Sequence, residues 1–176
     1  DLERKDILYD ISFVGTANSS TTFYRINTIR KIKDYCDSRG LSSLFYLKYR
    51  PLSSSCVKRF FSRLEQKAYY DAIDKNIEDG FLYEKPLPLE EVNNIYASSK
   101  CILDLNHENR QGLTINAVTA IANNKKLITT NRGIKNELFY NPSNICVIDS
   151  LNPIFDESFF SKSIMLMEHK FMKVED

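Results

Sequence analysis

The fold class is decided by residues 101–130, which read CILDLNHENRQGLTINAVTAIANNKKLITT. The first five residues are apolar apart from Asp104 and predict a buried strand. A polar loop follows, and Gly112 then opens a predicted helix over 113–123. The closing residues LITT predict the next strand. A strand, a helix and a strand joined by such short connections are typical of a unit with parallel strands.

The same alternation extends along the rest of the chain. Apolar runs predict strands at 7–14, 44–47, 81–83, 101–105, 127–130 and 145–148. Helical spacing of apolar residues predicts helices at about 23–39, 53–68, 89–96, 113–123 and 134–139. Because continuously apolar strands alternate with helices, we expect an α/β fold, a Rossmann-like doubly wound parallel sheet.

Domain boundaries follow from this pattern. We assign residues 1–160 to one Rossmann-like domain and residues 161–176 to a helical tail. Between Tyr69 and Gly80 the pattern weakens, which predicts an insertion or a mobile loop. Gly40 follows the first helix and is expected to end it in the left-handed conformation.

Composition excludes several classes of protein. The 176 residues are 43% hydrophobic, which supports one core without disulfides or a structural metal. A net charge of +1 offers no field for wrapping nucleic acid, so we expect no nucleic-acid partner. The four cysteines are widely spaced and lie away from the two histidines, which predicts buried thiols in a reducing cytosol and no metal site.

Targeting signals are also lacking. No stretch approaches the roughly 20 apolar residues that span a bilayer, and no signal peptide is recognisable. The sequence begins at Asp1 instead of Met, which predicts a processed or trimmed chain or part of a longer one. We expect a cytoplasmic protein, with a peripheral position at the inner membrane left open.

Ligands of doubly wound sheets bind at the carboxyl ends of the strands, where the strand order reverses. The candidate loops therefore follow Val14, Leu105 and Thr130. Gly15-Thr16 lacks the other residues of a GxGxxG or GK[ST] motif, and taken alone indicates a turn more than a phosphate cradle. Arg25 is equally compatible with a phosphate ligand and with a solvated side chain.

The segment HENRQGLT at 107–114 is the stronger candidate. A helix that starts near Gly112 presents free main-chain N–H groups and a positive dipole end to an anion such as a diphosphate. The alternative is a plain surface loop. Neither histidine has a Ser or Cys neighbour that suggests a triad, and no catalytic residue is identified. Asp104 is interpreted as a buried, hydrogen-bonded carboxylate in preference to a site residue.

Four segments resemble the carboxy-terminal half of bacterial glycosyltransferase-like proteins from capsule and lipopolysaccharide gene clusters. They are YDISFVG at 9–15, QGLT at 111–114, KKLITTN at 125–131 and FYNPSNI at 139–145. The resemblance implies a GT-B architecture, in which two Rossmann-like domains face a cleft and the carboxy-terminal one holds the nucleotide of a sugar donor. It implies as partners a nucleotide-sugar donor, a glycan or lipid-linked acceptor and a missing amino-terminal acceptor domain, and it implies no metal or other cofactor.

In such domains the first glycine loop and the glycine-headed helix approach the donor diphosphate. With the residues singled out above, the candidate donor-binding residues are Gly15, Thr16, Arg25, His107, Arg110, Gln111, Gly112, Leu113, Thr114 and Thr119. Related sequences usually carry a ribose-binding glutamate at the position of Thr119, and often arginine at the position of Asn116. Asn124 stands in place of a glycine and can supply the left-handed helix end.

Two functional hypotheses result. The first is the donor-binding domain of a glycosyltransferase of lipopolysaccharide or capsular polysaccharide biosynthesis, inactive when isolated. The second is a non-catalytic Rossmann-like module with an assembly or regulatory role, which the threonine at position 119 would permit. A third class, a receiver-like signalling domain, requires acidic residues at the end of the first strand, and Asp10 lies too early for that.

Overall fold

Six strands form one parallel sheet in the computed structural model of the chain, which describes residues 6–17, 24–52, 55–106, 112–156 and 158–165. In chain order the strands are β1 (Tyr9–Ala17), β2 (Ser43–Tyr49), β3 (Leu82–Tyr83), β4 (Ser99–Asp104), β5 (Lys126–Thr129) and β6 (Ile145–Val147). Across the sheet their order is β3-β2-β1-β4-β5-β6, with every pairing parallel. The predicted doubly wound, Rossmann-like α/β fold is confirmed.

The helices are α1 (Tyr24–Ser38), α2 (Cys56–Glu65), α3 (Lys67–Asn76), α4 (Leu89–Ala97), α5 (Ile115–Ala122) and α6 (Ser158–Ser161), with 3-10 turns at Ile77–Asp79 and Arg132–Asn136. α1 has the predicted apolar face. After it Gly40 adopts a φ of +65°, and after α5 Asn124 adopts a φ of +50°. Both left-handed helix ends are therefore confirmed.

Helices cover both faces of the sheet. On one face α1 and α3 pack around Phe13 and Leu47. On the other face α4 and α5 pack around Ile102 and Leu127. The cysteines Cys36 and Cys101 are buried and free, as expected, whereas Cys146 is free but only half-buried. Burial raises the pKa of Cys36 to about 12.

Residues 67–79 form α3 and a 3-10 turn, so the prediction of an insertion or mobile loop between Tyr69 and Gly80 is wrong. Tyr69, Tyr70 and Ile73 are buried in the core. The Tyr69 hydroxyl donates to the Ala17 carbonyl and accepts a hydrogen bond of 2.7 Å from the amide of Arg50. The sequence pattern did not predict this helix because tyrosines form much of its buried face, and their hydroxyl groups weaken the apolar periodicity.

Gly15 and Thr16 do not form a turn. β1 continues through both residues to Ala17, because it pairs with β2 over its whole second half. A Cβ on Gly15 would lie 2.5 Å from the ring of Phe13 on the same face of the strand. The absence of a side chain at Gly15 therefore makes room for Phe13, and its φ is not positive.

Among the described residues 150–156 and 158–165, the helical ones are those of α6. Residues 162–165 are not helical, and residues 166–176 of the predicted tail lie outside the described part of the chain. Phe155 and Phe159 are buried. The Tyr35 hydroxyl donates to the Phe155 carbonyl at 2.7 Å, which ties this segment to α1.

Candidate functional site

The strand order reverses between β1 and β4, and the two strands separate toward their carboxyl ends. Pairing of β1 with β4 ends at Ser12 and Ile102, whereas pairing of β1 with β2 continues to Ala17. The main chain of β1 beyond Ser12 therefore faces a gap on its β4 side. Ligands of open α/β sheets bind at such a position.

The bottom of this gap is closed by Tyr96 of α4 and Asn116 of α5. The Val14 amide donates to the Tyr96 hydroxyl at 3.1 Å, and the hydroxyl lies 2.9 Å from the Asn116 Oδ1, to which it can donate. Asn116 Nδ2 donates to the carbonyls of Val14 and Leu103 at 3.2 and 3.4 Å. Burial raises the pKa of Tyr96, so its hydroxyl remains a neutral donor at any ordinary pH. The two side chains replace the missing strand-to-strand hydrogen bonds.

Arg25 joins the ends of β1 and β4 across the same gap. Its Nη1 donates to the Thr16 carbonyl and its Nη2 to the Leu105 carbonyl, both at 2.9 Å. Its Nε is buried and has no hydrogen-bond partner within the described ranges. The guanidinium therefore lies at the predicted edge, with part of its donor capacity committed to main-chain carbonyls.

Asp104 ends β4 and is almost fully buried. Its two carboxylate oxygens accept hydrogen bonds from the hydroxyls of Thr114 at 2.5 Å and Thr129 at 2.7 Å. The Thr114 hydroxyl also accepts from the amide of Ala117 at 3.2 Å, which caps α5. Asp104 is thus the hydrogen-bonded carboxylate that the sequence indicated, and it fixes the start of α5.

Burial raises the pKa of Asp104 above its usual 3.8, although both hydroxyls and the charge of Arg25 act in the opposite direction. The folded state therefore binds this proton more tightly than the unfolded chain, and the free energy of unfolding falls as pH rises through the folded pKa. Asp104→Asn has no titrating carboxyl at this position, so its free energy of unfolding does not fall in this way. We expect urea denaturation to show that the free energy of unfolding of the variant rises relative to that of the wild type between pH 4 and pH 7.

Asp149→Asn serves as the matched control. Hydrogen bonds from the amides of Leu151 and Asn152 lower the pKa of Asp149. That variant should therefore lose stability relative to the wild type as pH rises toward 3.8, and the difference between the two should stay nearly constant from pH 4 to pH 7. Parallel pH profiles for the two variants would show that the environment of Asp104 is not as described.

Gly112 begins the connection to α5 with a φ of +106°, and a Cβ there would meet no atom within 4 Å. Its carbonyl accepts hydrogen bonds from Nδ2 of Asn106 at 3.4 Å and Nδ2 of Asn131 at 3.2 Å. The amide of Asn106 in turn donates to the hydroxyl of Thr130 at 2.9 Å. The loops after β4 and β5, both expected at the site, therefore hold the Gly112 turn between them.

The remaining predicted site residues are placed as follows. Thr16 is exposed near the end of β1, Leu113 is 40% exposed beside Gly112, and Thr119 is half-buried on α5. His107, Arg110 and Gln111 lie outside the described residues. No group of three or more His, Cys, Asp or Glu side chains suited to a metal occurs in the described ranges, and no helix there is long and apolar enough to cross a membrane.

Sequence reasoning missed Tyr96 and the structural role of Asn116. Tyr96 follows the apolar face of α4 and looked like an ordinary core residue. Asn116 had one usable signal, since an amide among the apolar residues of α5 must find partners when buried. Asp10 lies at the amino end of β1, where Lys100 Nζ donates to it at 2.7 Å, so it is at the edge opposite the gap. This position counts against the receiver-like alternative.

Comparison with known proteins gives likenesses among solved structures and none among family models or curated sequences. The chain is similar to the C-terminal domain of a glycosyl transferase group 1 family protein (LpcC) from Francisella tularensis, at 16% identity and a TM-score of 0.46, over 82% of this chain and 69% of the other. That protein is of the class that the sequence resembles. At this identity the likeness concerns the fold alone.

Proposed function

We propose that the chain is the nucleotide-sugar donor-binding domain of a GT-B-type glycosyltransferase of bacterial lipopolysaccharide or capsular polysaccharide biosynthesis. The supporting observation is the Gly112 turn at the point where the strand order reverses. A Cβ on Gly112 would meet no atom within 4 Å among the described residues, and the turn leads directly into α5. The sequence resemblance assigns the donor diphosphate to the same turn.

The start of α5 supplies suitable donors for a diphosphate. The Thr114 hydroxyl accepts a hydrogen bond from the amide of Ala117. The amides of Ile115 and Asn116 donate to no group in the described part of the chain. These N–H groups and the helix dipole favour an anion. In the proposed reaction they, with Arg25, stabilise the charge that develops on the departing nucleoside diphosphate.

The acceptor and any general base belong to the amino-terminal domain in this proposal. We therefore expect the present chain to bind a donor in the cytoplasm without transferring sugar. The residues proposed for binding are those of the sequence prediction, and Gly15 contributes through the packing of β1. No metal or other cofactor is part of the proposal.

A second candidate is the non-catalytic module, and one observation favours it. Asp104 is the sole carboxylate among residues 99–106 and 112–129, and hydroxyls occupy both of its oxygens. It is therefore not available to bind ribose hydroxyls. Thr119 offers one hydroxyl where related sequences have two carboxylate oxygens, which would weaken donor binding or abolish it.

A binding experiment separates the two candidates. We expect ligand-detected NMR and calorimetry with UDP, GDP, CDP and TDP sugars to find saturable binding for at least one nucleotide. Gly112→Ala should weaken this binding about tenfold or more, because a side chain is strained at a φ of +106° and the turn must move. If none of these nucleotide sugars binds, the result favours the non-catalytic module.

Gly80→Ala is the matched control for backbone strain. Gly80 also has a positive φ, +76°, with no atom within 4 Å of a Cβ, but it precedes β3 at the opposite edge of the sheet. Both variants should lose stability to a similar extent, about 1–2 kcal/mol. Only Gly112→Ala should lose affinity, and equal affinities for the two variants would contradict the assigned site.

A further inference from the structure

Two side-chain amides set the orientation of the peptide between Gly112 and Leu113. Nδ2 of Asn131 and Nδ2 of Asn106 both donate to the Gly112 carbonyl, at 3.2 and 3.4 Å. In a trans peptide the N–H group points opposite to the carbonyl. The N–H of Leu113 therefore points away from both asparagines, and it donates to no group in the described part of the chain.

Glycine at position 112 makes this peptide easy to rotate. Its φ is +106°, and it has no Cβ to restrict its ψ. Without the two amide donors, a rotation of the peptide would exchange the positions of the Gly112 carbonyl and the Leu113 N–H. Because the peptide unit is a strong dipole, a ligand at the turn would then meet an oxygen atom in place of a hydrogen-bond donor. The asparagines therefore decide which end of the peptide a ligand meets.

A second hydrogen bond fixes the side chain of Asn131. Its Oδ1 accepts from the amide of Gly133 at 3.0 Å and so caps the 3-10 turn Arg132–Asn136. The main-chain amide of Asn131 donates to the hydroxyl of Thr129 at 3.0 Å, which holds the backbone in place. With Oδ1 committed to Gly133, Nδ2 is left to donate to Gly112.

Capping alone does not require asparagine at this position. Serine, threonine and aspartate also accept a hydrogen bond from a main-chain amide at the start of a helical turn. An ionised aspartate has no proton to donate to the Gly112 carbonyl, and a hydroxyl is a single atom on a shorter side chain. Asparagine carries an acceptor and a donor on one planar amide, so Asn131 accepts from Gly133 and donates to Gly112 at once.

We propose that Asn131 is a positioning residue of the candidate site. It keeps the N–H of Leu113, and not the carbonyl of Gly112, directed toward the donor diphosphate. The Leu113 N–H then becomes a third main-chain donor beside those of Ile115 and Asn116. This inference rests on the proposed function, because that function supplies the diphosphate.

Asn131→Ser tests this role, because serine keeps the cap and removes the amide donor. In calorimetry the wild type should bind inorganic pyrophosphate and at least one nucleotide sugar of the panel. Asn131→Ser should weaken both interactions about tenfold or more, as for the loss of one hydrogen bond to a charged group. Asn131→Asp should weaken them about a hundredfold, because its carboxylate repels the Gly112 carbonyl and the ligand as well.

Asn141→Ser is the matched control. Oδ1 of Asn141 accepts from the amide of Ser143 at 2.8 Å, and its Nδ2 donates to the sulfur of Met165 at 3.4 Å. Asn141 therefore also combines a cap with one donated hydrogen bond, but it lies before the amino end of β6, at the edge opposite the Gly112 turn. The two serine variants should have similar urea midpoints, and only Asn131→Ser should lose affinity.

NMR supplies a measurement that needs no ligand. Residual dipolar couplings report the direction of an N–H bond, and the Leu113 N–H of the wild type should show one direction, opposite to the Gly112 carbonyl. In Asn131→Ser this coupling should change or shrink toward an average over two directions. The coupling of the Ala117 N–H, which donates to the Thr114 hydroxyl, should be unchanged.

The proposal is overturned if Asn131→Ser binds both ligands as tightly as the wild type, or if its Leu113 N–H keeps the wild-type direction. A wild type that binds neither pyrophosphate nor any nucleotide sugar overturns the proposed function, and the role of Asn131 with it. Binding by the wild type therefore distinguishes the failure of this inference from the failure of the proposed function.

Discussion

Replacing Phe13 with alanine is expected to lower the free energy of unfolding by about 3–5 kcal/mol, as for other buried aromatic residues. Phe13 is buried at the centre of the sheet, where its ring packs in the larger core and also covers Gly15. The loss should appear as a lower urea midpoint. In thermal unfolding it corresponds to a fall in Tm of about 2–4 °C per kcal/mol for a domain of this size.

Gly15→Ala tests the same contact from the other side. The new Cβ would lie 2.5 Å from the Phe13 ring, so the ring or the strand must shift. Overpacking of this kind costs about 1–3 kcal/mol. In Phe13→Leu/Gly15→Ala the smaller side chain makes room, so the double variant should lose less stability than the sum of the single variants. Strict additivity would contradict the contact.

The double variant also decides what Gly15 does for binding. If the role of Gly15 is to leave room for the ring of Phe13, Phe13→Leu/Gly15→Ala should bind the same nucleotide sugar as the wild type. If Gly15 instead contacts the diphosphate, restored stability would leave binding impaired. Urea titrations and ligand-detected NMR on the same samples give both answers.

Asn116→Ala is expected to cost about 1–3 kcal/mol, because the buried carbonyls of Val14 and Leu103 each lose the amide of Asn116 and the hydroxyl of Tyr96 keeps only its contacts with the main chain of Val14. Tyr96→Phe removes a single hydroxyl and should cost about 1–2 kcal/mol. Since the two side chains share a hydrogen bond, their losses should not add in the double variant.

Asn93→Ala is the matched control on α4. Asn93 is exposed, and its replacement should change the free energy of unfolding by less than about 0.5 kcal/mol. Urea denaturation of the three single variants and the double variant is sufficient. An Asn116→Ala variant as stable as Asn93→Ala would show that the strands are held apart by other contacts.

Much of the fold was predictable because its signals are local. The apolar runs that became β4, β5 and β6 are buried strands within one or two residues of their predicted bounds, and α1 and α5 follow their apolar spacing. The predicted helix at 134–139 is a 3-10 turn, Arg132–Asn136. α3 was missed because its buried face is rich in tyrosine. Gly15 was misread because a glycine within a strand and a glycine in a turn look alike until a neighbour such as Phe13 is in place.

At the candidate site, the Gly112 turn and the cap at Thr114 could be located from their neighbours in the chain. The contacts that give them their geometry could not. Asn131 and Asn106 hold the carbonyl of Gly112 from two different loops, and Asp104 joins Thr114 to Thr129 of another strand. Hydrogen bonds between residues so distant in the chain leave no periodic pattern, because each depends on strand order and register.

Alternation of strand and helix, the left-handed ends at Gly40 and Asn124, and the glycine at the head of α5 are properties of neighbouring residues, and the amino-acid order was enough to establish them. The assembled chain alone decided that Tyr96 and Asn116 close the gap between β1 and β4, and that Phe60 and Phe61 lie outside the core. A helix with an apolar stripe buries that stripe on whatever surface it meets. Its own residues cannot reveal that Phe60, Phe61 and Leu64 of α2 stay exposed, because that depends on which surfaces the rest of the chain presents to the helix.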